Sequence, residues 1–207
     1  MNSTRQMNLP TEQECLQYFE EFKVPSNIFK HCLKVQSVSV FLAEKLIQDG
    51  ISVNVQLVSC LSLIHDLFKP VVIENFKPFS GEVVTPEQIS IWKELREKYS
   101  GKFENDIAYE FFKEEYPLLA LTIKNGCDPG QEKESWEEKI VHYVDWRTSE
   151  DQLISLNTRM DILEKRYPNE EKWGLFRQIA QDTEKDLFNQ LRFKPEQLAE
   201  EMNRNGQ

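Results

Sequence analysis

Along most of this chain apolar residues return every three or four positions, the period of a helix that buries one face. His31, Val35, Val38, Leu42 and Leu46 mark one such face, which Ser26 or Asn27 can cap and Gly50 stops. Asn54 opens another helix carrying Leu57, Leu61, Ile64, His65 and Phe68, and Pro70 closes it. Upstream, Thr11-Glu12-Gln13-Glu14 has the form of a capping box, and Lys23-Val24-Pro25 ends its helix. Thr85-Pro86-Glu87-Gln88 restarts a helix towards Tyr99 that ends at Gly101, with proline at its first position. Residues 105–115 and 117–124 read as two shorter helices, the second ended by Asn125-Gly126. Ser135-Trp136-Glu137-Glu138 is a further capping box, opening a helix with Ile140, Val141, Val144 and Asp145. Leu153, Leu156, Met160 and Leu163 continue the pattern, then Trp173, Phe176, Ala180, Thr183 and Leu187, before Pro195 begins a last helix.

No alternation of apolar and polar residues runs long enough to predict a strand, so the expected fold class is all-α, a compact single-domain helical bundle. With 207 residues, 40% of them hydrophobic, the chain can bury one sizeable core. The expected organisation is a lead over 1–10, a helical domain over 11–194 and a polar tail over 195–207 that packs loosely. Residues 70–84 lose the helical period and read as an irregular binding loop or lid.

The formal charge of −10, with no long basic stripe, argues against long nucleic acid but leaves a small phosphorylated ligand open. Cys15, Cys32, Cys60 and Cys127 are widely spaced without a C-x-x-C pair, which reads as reduced thiols in a cytoplasmic protein. The first residues lack the apolar core of a signal peptide, and no uncharged run is long and apolar enough to imply a membrane.

Chemistry enters at His65 and Asp66, two ionisable groups at the end of the apolar run from Ile51 to Ile64. A buried pair of this kind needs compensation, which a bound cation provides. His31 and Asp145 lie on core-facing stripes of two other helices, and imidazole with carboxylate suits Mn, Fe, Mg, Co, Ni or Zn. Each has a plainer reading. His31 alone would pass for a core histidine, Asp145 could pair with Arg147 or Arg159, and Lys69 favours a helix C-terminus in any protein.

The order His, His-Asp, Asp, all on helices, resembles the HD-domain superfamily of metal-dependent phosphohydrolases. VPSNIFKHCLKVQSVSVFLAEKL is similar to the helix of its first ligand, LSLIHDLFKP to that of the paired ligands, and KIVHYVDWR to that of the last aspartate. LNTRMDILEKRYP is similar to a segment that follows this aspartate in many small members, so the resemblance runs over about 11–167. It implies one divalent metal ion held by His31, His65, Asp66 and Asp145, with Asp66 and Lys69 catalytic, Lys69 also contacting phosphate, and Arg147 orienting it. Multi-metal branches use histidines between the paired ligands and the last aspartate; none stands here before His142, and the corresponding positions read Asn105 and Asn125. The 5′-deoxynucleotidase branch has glutamate where this chain has Lys69.

The implied activity is hydrolysis of a small phosphomonoester or phosphodiester, a nucleotide above all. The alternative is a catalytically silent domain that binds metal and a nucleotide or protein partner in a regulatory role. His142, one turn before Asp145, is a further candidate as a group that orients a ligand or as a site base, although a surface or packing role is commoner, and Glu74 in the loop could donate a proton. Phe76, Phe79 and Trp92 could stack on a base or anchor the loop to the core.

Overall fold

The structure, a computed structural model, describes residues 8–73 and 82–205. It is an all-α single domain: among the described residues, two short strands are the only β structure. The helices are α1 (Glu12–Glu21), α2 (Ser26–Gln48), α3 (Val55–Ile64), α4 (Lys69–Val72), α5 (Pro86–Lys98) and α6 (Glu104–Phe112). They continue with α7 (Pro117–Gly126), α8 (Trp136–Asp145), α9 (Leu156–Arg166), α10 (Trp173–Phe188) and α11 (Leu198–Asn205).

At the centre α2, α3 and α8 pack on one another. The apolar period of each supplies the contact: Val35, Val38, Leu42 and Leu46 from α2, Leu61 and Ile64 from α3, and Ile140 and Val144 from α8 are all buried. Capping fixes where these helices start. Thr11, Thr85 and Ser135 each form a capping box, and Asn54 Oδ1 accepts from Leu57 N at 3.0 Å. The end of α2 is a Schellman motif, in which Gly50 at φ +90° lets Ile51 N–H reach Leu46 O at 2.9 Å.

Three boundaries differ from expectation. α2 begins with Pro25 in the cap position, because both the amide and the hydroxyl of Ser26 donate to the Glu82 carboxylate, at 3.1 and 2.6 Å. α3 ends at Ile64, well before Pro70. Tight i→i+3 bonds follow, Leu67 N to Ile64 O and Lys69 N to Asp66 O at 3.1 Å each, and Pro70 sits in the first turn of α4, where no amide is needed. The apolar period hides this break because Leu67, Phe68 and Val71 stay buried through it. The stretch Val55–Val72 is apolar enough by composition to cross a membrane, but 72% of it is buried within the protein.

The third difference is an antiparallel hairpin of β1 (Thr148–Ser149) and β2 (Gln152–Leu153), its turn held by Glu150 at φ +56°. Two-residue strands leave no alternation for a sequence to display. The segment from Pro195 is anchored rather than loose: Pro195 O accepts from Arg147 Nη1 at 3.0 Å and Leu198 is fully buried. Trp92 anchors to the core through its indole N–H on Phe22 O at 2.9 Å, whereas Glu74, Phe76 and Phe79 lie outside the described residues. The four cysteines are free.

Candidate metal centre

The three central helices each deliver part of one cluster. His31 comes from the second turn of α2, His65 and Asp66 from the turn that closes α3, and Asp145 from the last position of α8. On a regular helix adjacent residues diverge by about 100°. The tight turn after Ile64 instead leaves His65 Nε2 and Asp66 Oδ2 only 3.8 Å apart. His31, His65 and Asp66 each offer one ligand atom within 4.8 Å of the others, and all three are buried. Asp145 Oδ1 joins them, 3.0 Å from His31 Nε2 and 3.6 Å from His65 Nε2.

Backbone carbonyls aim both imidazoles. His31 Nδ1 lies 2.8 Å from Glu150 O in the hairpin turn, and His65 Nδ1 lies 2.8 Å from Ser62 O. Each contact requires Nδ1–H as donor, which leaves the Nε2 lone pairs facing Asp66 and Asp145. Lone pair against carboxylate is repulsive unless a proton or a cation lies between them. His65 Nε2 in particular is buried with no hydrogen-bond partner. His31, His65 and Asp66 converging in this way could hold a metal ion, with Asp145 against both imidazoles.

The electrostatics describe the same demand for positive charge. Burial pushes the Asp145 carboxyl up, but the His31 contact at 3.0 Å and the nearby His65 imidazole outweigh it and hold the group well below the usual carboxylate range. Burial pushes the His65 imidazole down, yet Asp66 and the other partners carry it well above its ordinary value. Asp66 is lowered because Lys69 and the two histidines overcome the cost of burial, and Lys69 is raised in turn, chiefly by Asp66. Lys69 Nζ sits 2.5 Å from Asp66 Oδ2, and its side chain remains 39% exposed, so it can meet a ligand arriving from solvent.

Beside the cluster lies a cavity of about 50 Å³, lined among others by Glu104, Cys127, His142, Asp145 and Trp146. His142 is therefore brought into the site. Its Nε2 has no partner, its ring packs 5.3 Å from that of Trp146, and burial together with the nearby Lys133 ammonium holds it neutral down to about 3. Arg147 is not brought in. Its guanidinium donates to Ile154 O at 2.6 Å, to the Tyr143 hydroxyl at 2.7 Å and to Pro195 O, which makes it a buried clamp between α8 and the C-terminal segment.

Glu104 is the residue the sequence did not disclose. It opens α6 behind an uncapped Phe103, and burial pushes its carboxyl up to about 7 against the pull of Lys69. The helix expected from position 105 placed it in a loop, and an acidic residue in a first helical turn is too common to stand out. Comparison with protein-family models, curated proteins and solved structures finds no match to this chain.

Proposed function

We propose that this chain is an HD-type metal-dependent phosphohydrolase acting on a small phosphoester. The observation that carries the reading is the pair of imidazoles with Nδ1 tied to backbone carbonyls and Nε2 turned on two carboxylates. His31, His65, Asp66 and Asp145 would hold one divalent cation. Such an ion supplies Lewis acidity towards a phosphoryl oxygen and lowers the pKa of water.

The chain's own groups supply the rest. Asp66, kept ionised by Lys69 and the histidines, can orient a water molecule and accept its proton. Lys69 is cationic and partly exposed, placed to neutralise charge on the phosphate oxygens, where transition-state stabilisation counts most. Glu104 lines the same cavity and makes no hydrogen bond or ion pair among the described residues, so its carboxyl is available to protonate a leaving oxygen. His142 stays neutral and fills the wall behind Asp145.

Elemental analysis of purified protein, followed by a panel of phosphoesters before and after chelation, tests the proposal. Near-stoichiometric metal and chelator-sensitive hydrolysis are expected, with both lost in a folded His65→Ala, Asp66→Ala variant. Glu104→Gln should retain metal while losing roughly 100-fold or more in kcat. A metal-free wild type that hydrolyses nothing after reloading with Mn, Fe, Co, Ni, Zn or Mg overturns the reading. Bound, intact nucleotide with metal and no turnover would replace it with the regulatory one.

A further inference from the structure

The cavity at the metal centre, about 50 Å³, has room for an ion and its waters but not for a whole substrate, since small-molecule sites occupy roughly 300–1,000 Å³. The bulk of any phosphoester must therefore lie outside it. An open groove of about 510 Å³ is formed where α9 turns into α10, lined by Arg166, Tyr167, Trp173 and Phe176 among others.

One aromatic cluster reaches both spaces. Trp146 lines the metal-centre cavity, and its ring packs edge-on against Trp173 and Phe176, with centroids 6.4 and 6.2 Å away. Trp173 is held in place by its indole N–H on Tyr167 O at 2.9 Å. Tyr167 is 52% exposed beside it, an aromatic face that no core contact requires.

Arg159, on α9, is a further cation within the field of the centre. Its Nε is buried without a hydrogen-bond partner. Burial disfavours its charge, Asp145 and Asp66 favour it, and Arg166 opposes it, so the guanidinium is within electrostatic reach of both the cluster and the groove. The neighbouring carboxylates Asp161 and Glu164 do not neutralise it, being engaged by Arg177 at 3.0 and 2.7 Å. A guanidinium whose Nε is unpartnered is suited to forked recognition of a phosphate.

Resting on the phosphohydrolase reading for its reacting end, we infer that the substrate is a nucleotide whose base stacks in the α9–α10 groove against Tyr167 and Trp173, with Arg159 holding a phosphate between groove and metal centre. Aromatic side chains pair with any base through their faces, so the groove selects for the presence of a base more than for its identity.

Calorimetric titration of the Mn-loaded protein with adenosine and cytidine 5′-monophosphates, against ribose 5-phosphate as the base-free probe, tests this. Both nucleotides are expected to bind at least roughly 10-fold tighter than ribose 5-phosphate, the size of one base–aromatic stack. Tyr167→Ala should remove most of that preference without altering ribose 5-phosphate binding; being exposed, this position tolerates truncation even if Trp173→Leu fails to fold. Arg159→Gln should weaken all three. Equal affinity for the three probes, no binding of any, or a preference that survives Tyr167→Ala overturns the inference. The two readings fail separately: base preference without hydrolysis removes the hydrolase and keeps the groove, whereas hydrolysis with equal KM for nucleotide and sugar phosphate removes the groove alone.

Discussion

His142 shows how a single buried side chain carries a pH dependence for the whole fold. In the unfolded chain its imidazole titrates near 6.5, while burial and Lys133 hold it neutral down to about 3 in the folded one. Above pH 6.5 neither state binds the proton and the group has no effect. Between 6.5 and 3 the unfolded state binds it and the folded state does not, so stability falls as pH falls. By pH 5 the loss is about 2 kcal/mol. Urea unfolding of chelator-treated protein at pH 8 and pH 5 reads this as a difference: the change in stability on going to pH 5 should be about 2 kcal/mol less favourable in the wild type than in His142→Leu, the opposite contribution of His65, whose imidazole is raised, being common to both. Identical slopes in the two proteins would mean that His142 does not titrate as its surroundings demand. At this scale the sequence was informative about residue types and poor about direction. His31, His65, Asp66 and Asp145 were legible because their order and spacing survive folding. Arg147 and Arg159 were not, since nothing in their spacing tells which guanidinium meets backbone carbonyls and which stays unpaired.

The two-residue hairpin does work that no helix does, because Glu150 O is the acceptor that turns the His31 ring. Its turn requires φ +56° at Glu150, a left-handed conformation that glycine adopts freely and proline cannot. The Glu150 side chain is exposed, so only the backbone matters here. Glu150→Gly is therefore expected to bind Mn as the wild type does, while Glu150→Pro should lose roughly 10- to 100-fold in affinity as the carbonyl moves away from Nδ1. Metal titration of the two variants decides; equal weakening in both would assign the effect to the Glu150 side chain instead. Elements were legible where their chemistry is local. Thr11, Thr85, Ser135 and Asn54 announced four helix starts through side chains that act within three residues. The end of α3 was hidden because burial continues past Ile64 after the helical bonds stop, and the hairpin because two residues cannot show a period.

Across the whole molecule, the cluster joins positions distant in sequence: His31 and Asp145 are 114 residues apart, and the groups meet only when α2, α3 and α8 have packed. An unfolded chain offers no such convergence, so a cation bound there stabilises the folded state alone. Without it, Asp66, Asp145 and Glu104 crowd negative charge around a small cavity in a chain that already carries −10. Lys69 and shared protons answer part of that demand, at the cost of burying more charge. Metal at 100 times its dissociation constant should add about 2.7 kcal/mol. For a domain of this length each kcal/mol moves Tm by roughly 2–4 °C, so loading should raise it by roughly 5–10 °C. A thermal melt with and without chelator reads this directly, and an Asp66→Asn, Asp145→Asn variant supplies the control. That variant should respond little to metal, and its apo form should melt below the apo wild type, since Asn at both positions leaves Lys69 and the histidines without the carboxylates that they hold ionised. A wild-type Tm unmoved by every divalent ion would show that the imidazole–carboxylate contacts are satisfied by protons, and that the cluster is a buried ion-pair network rather than a metal centre.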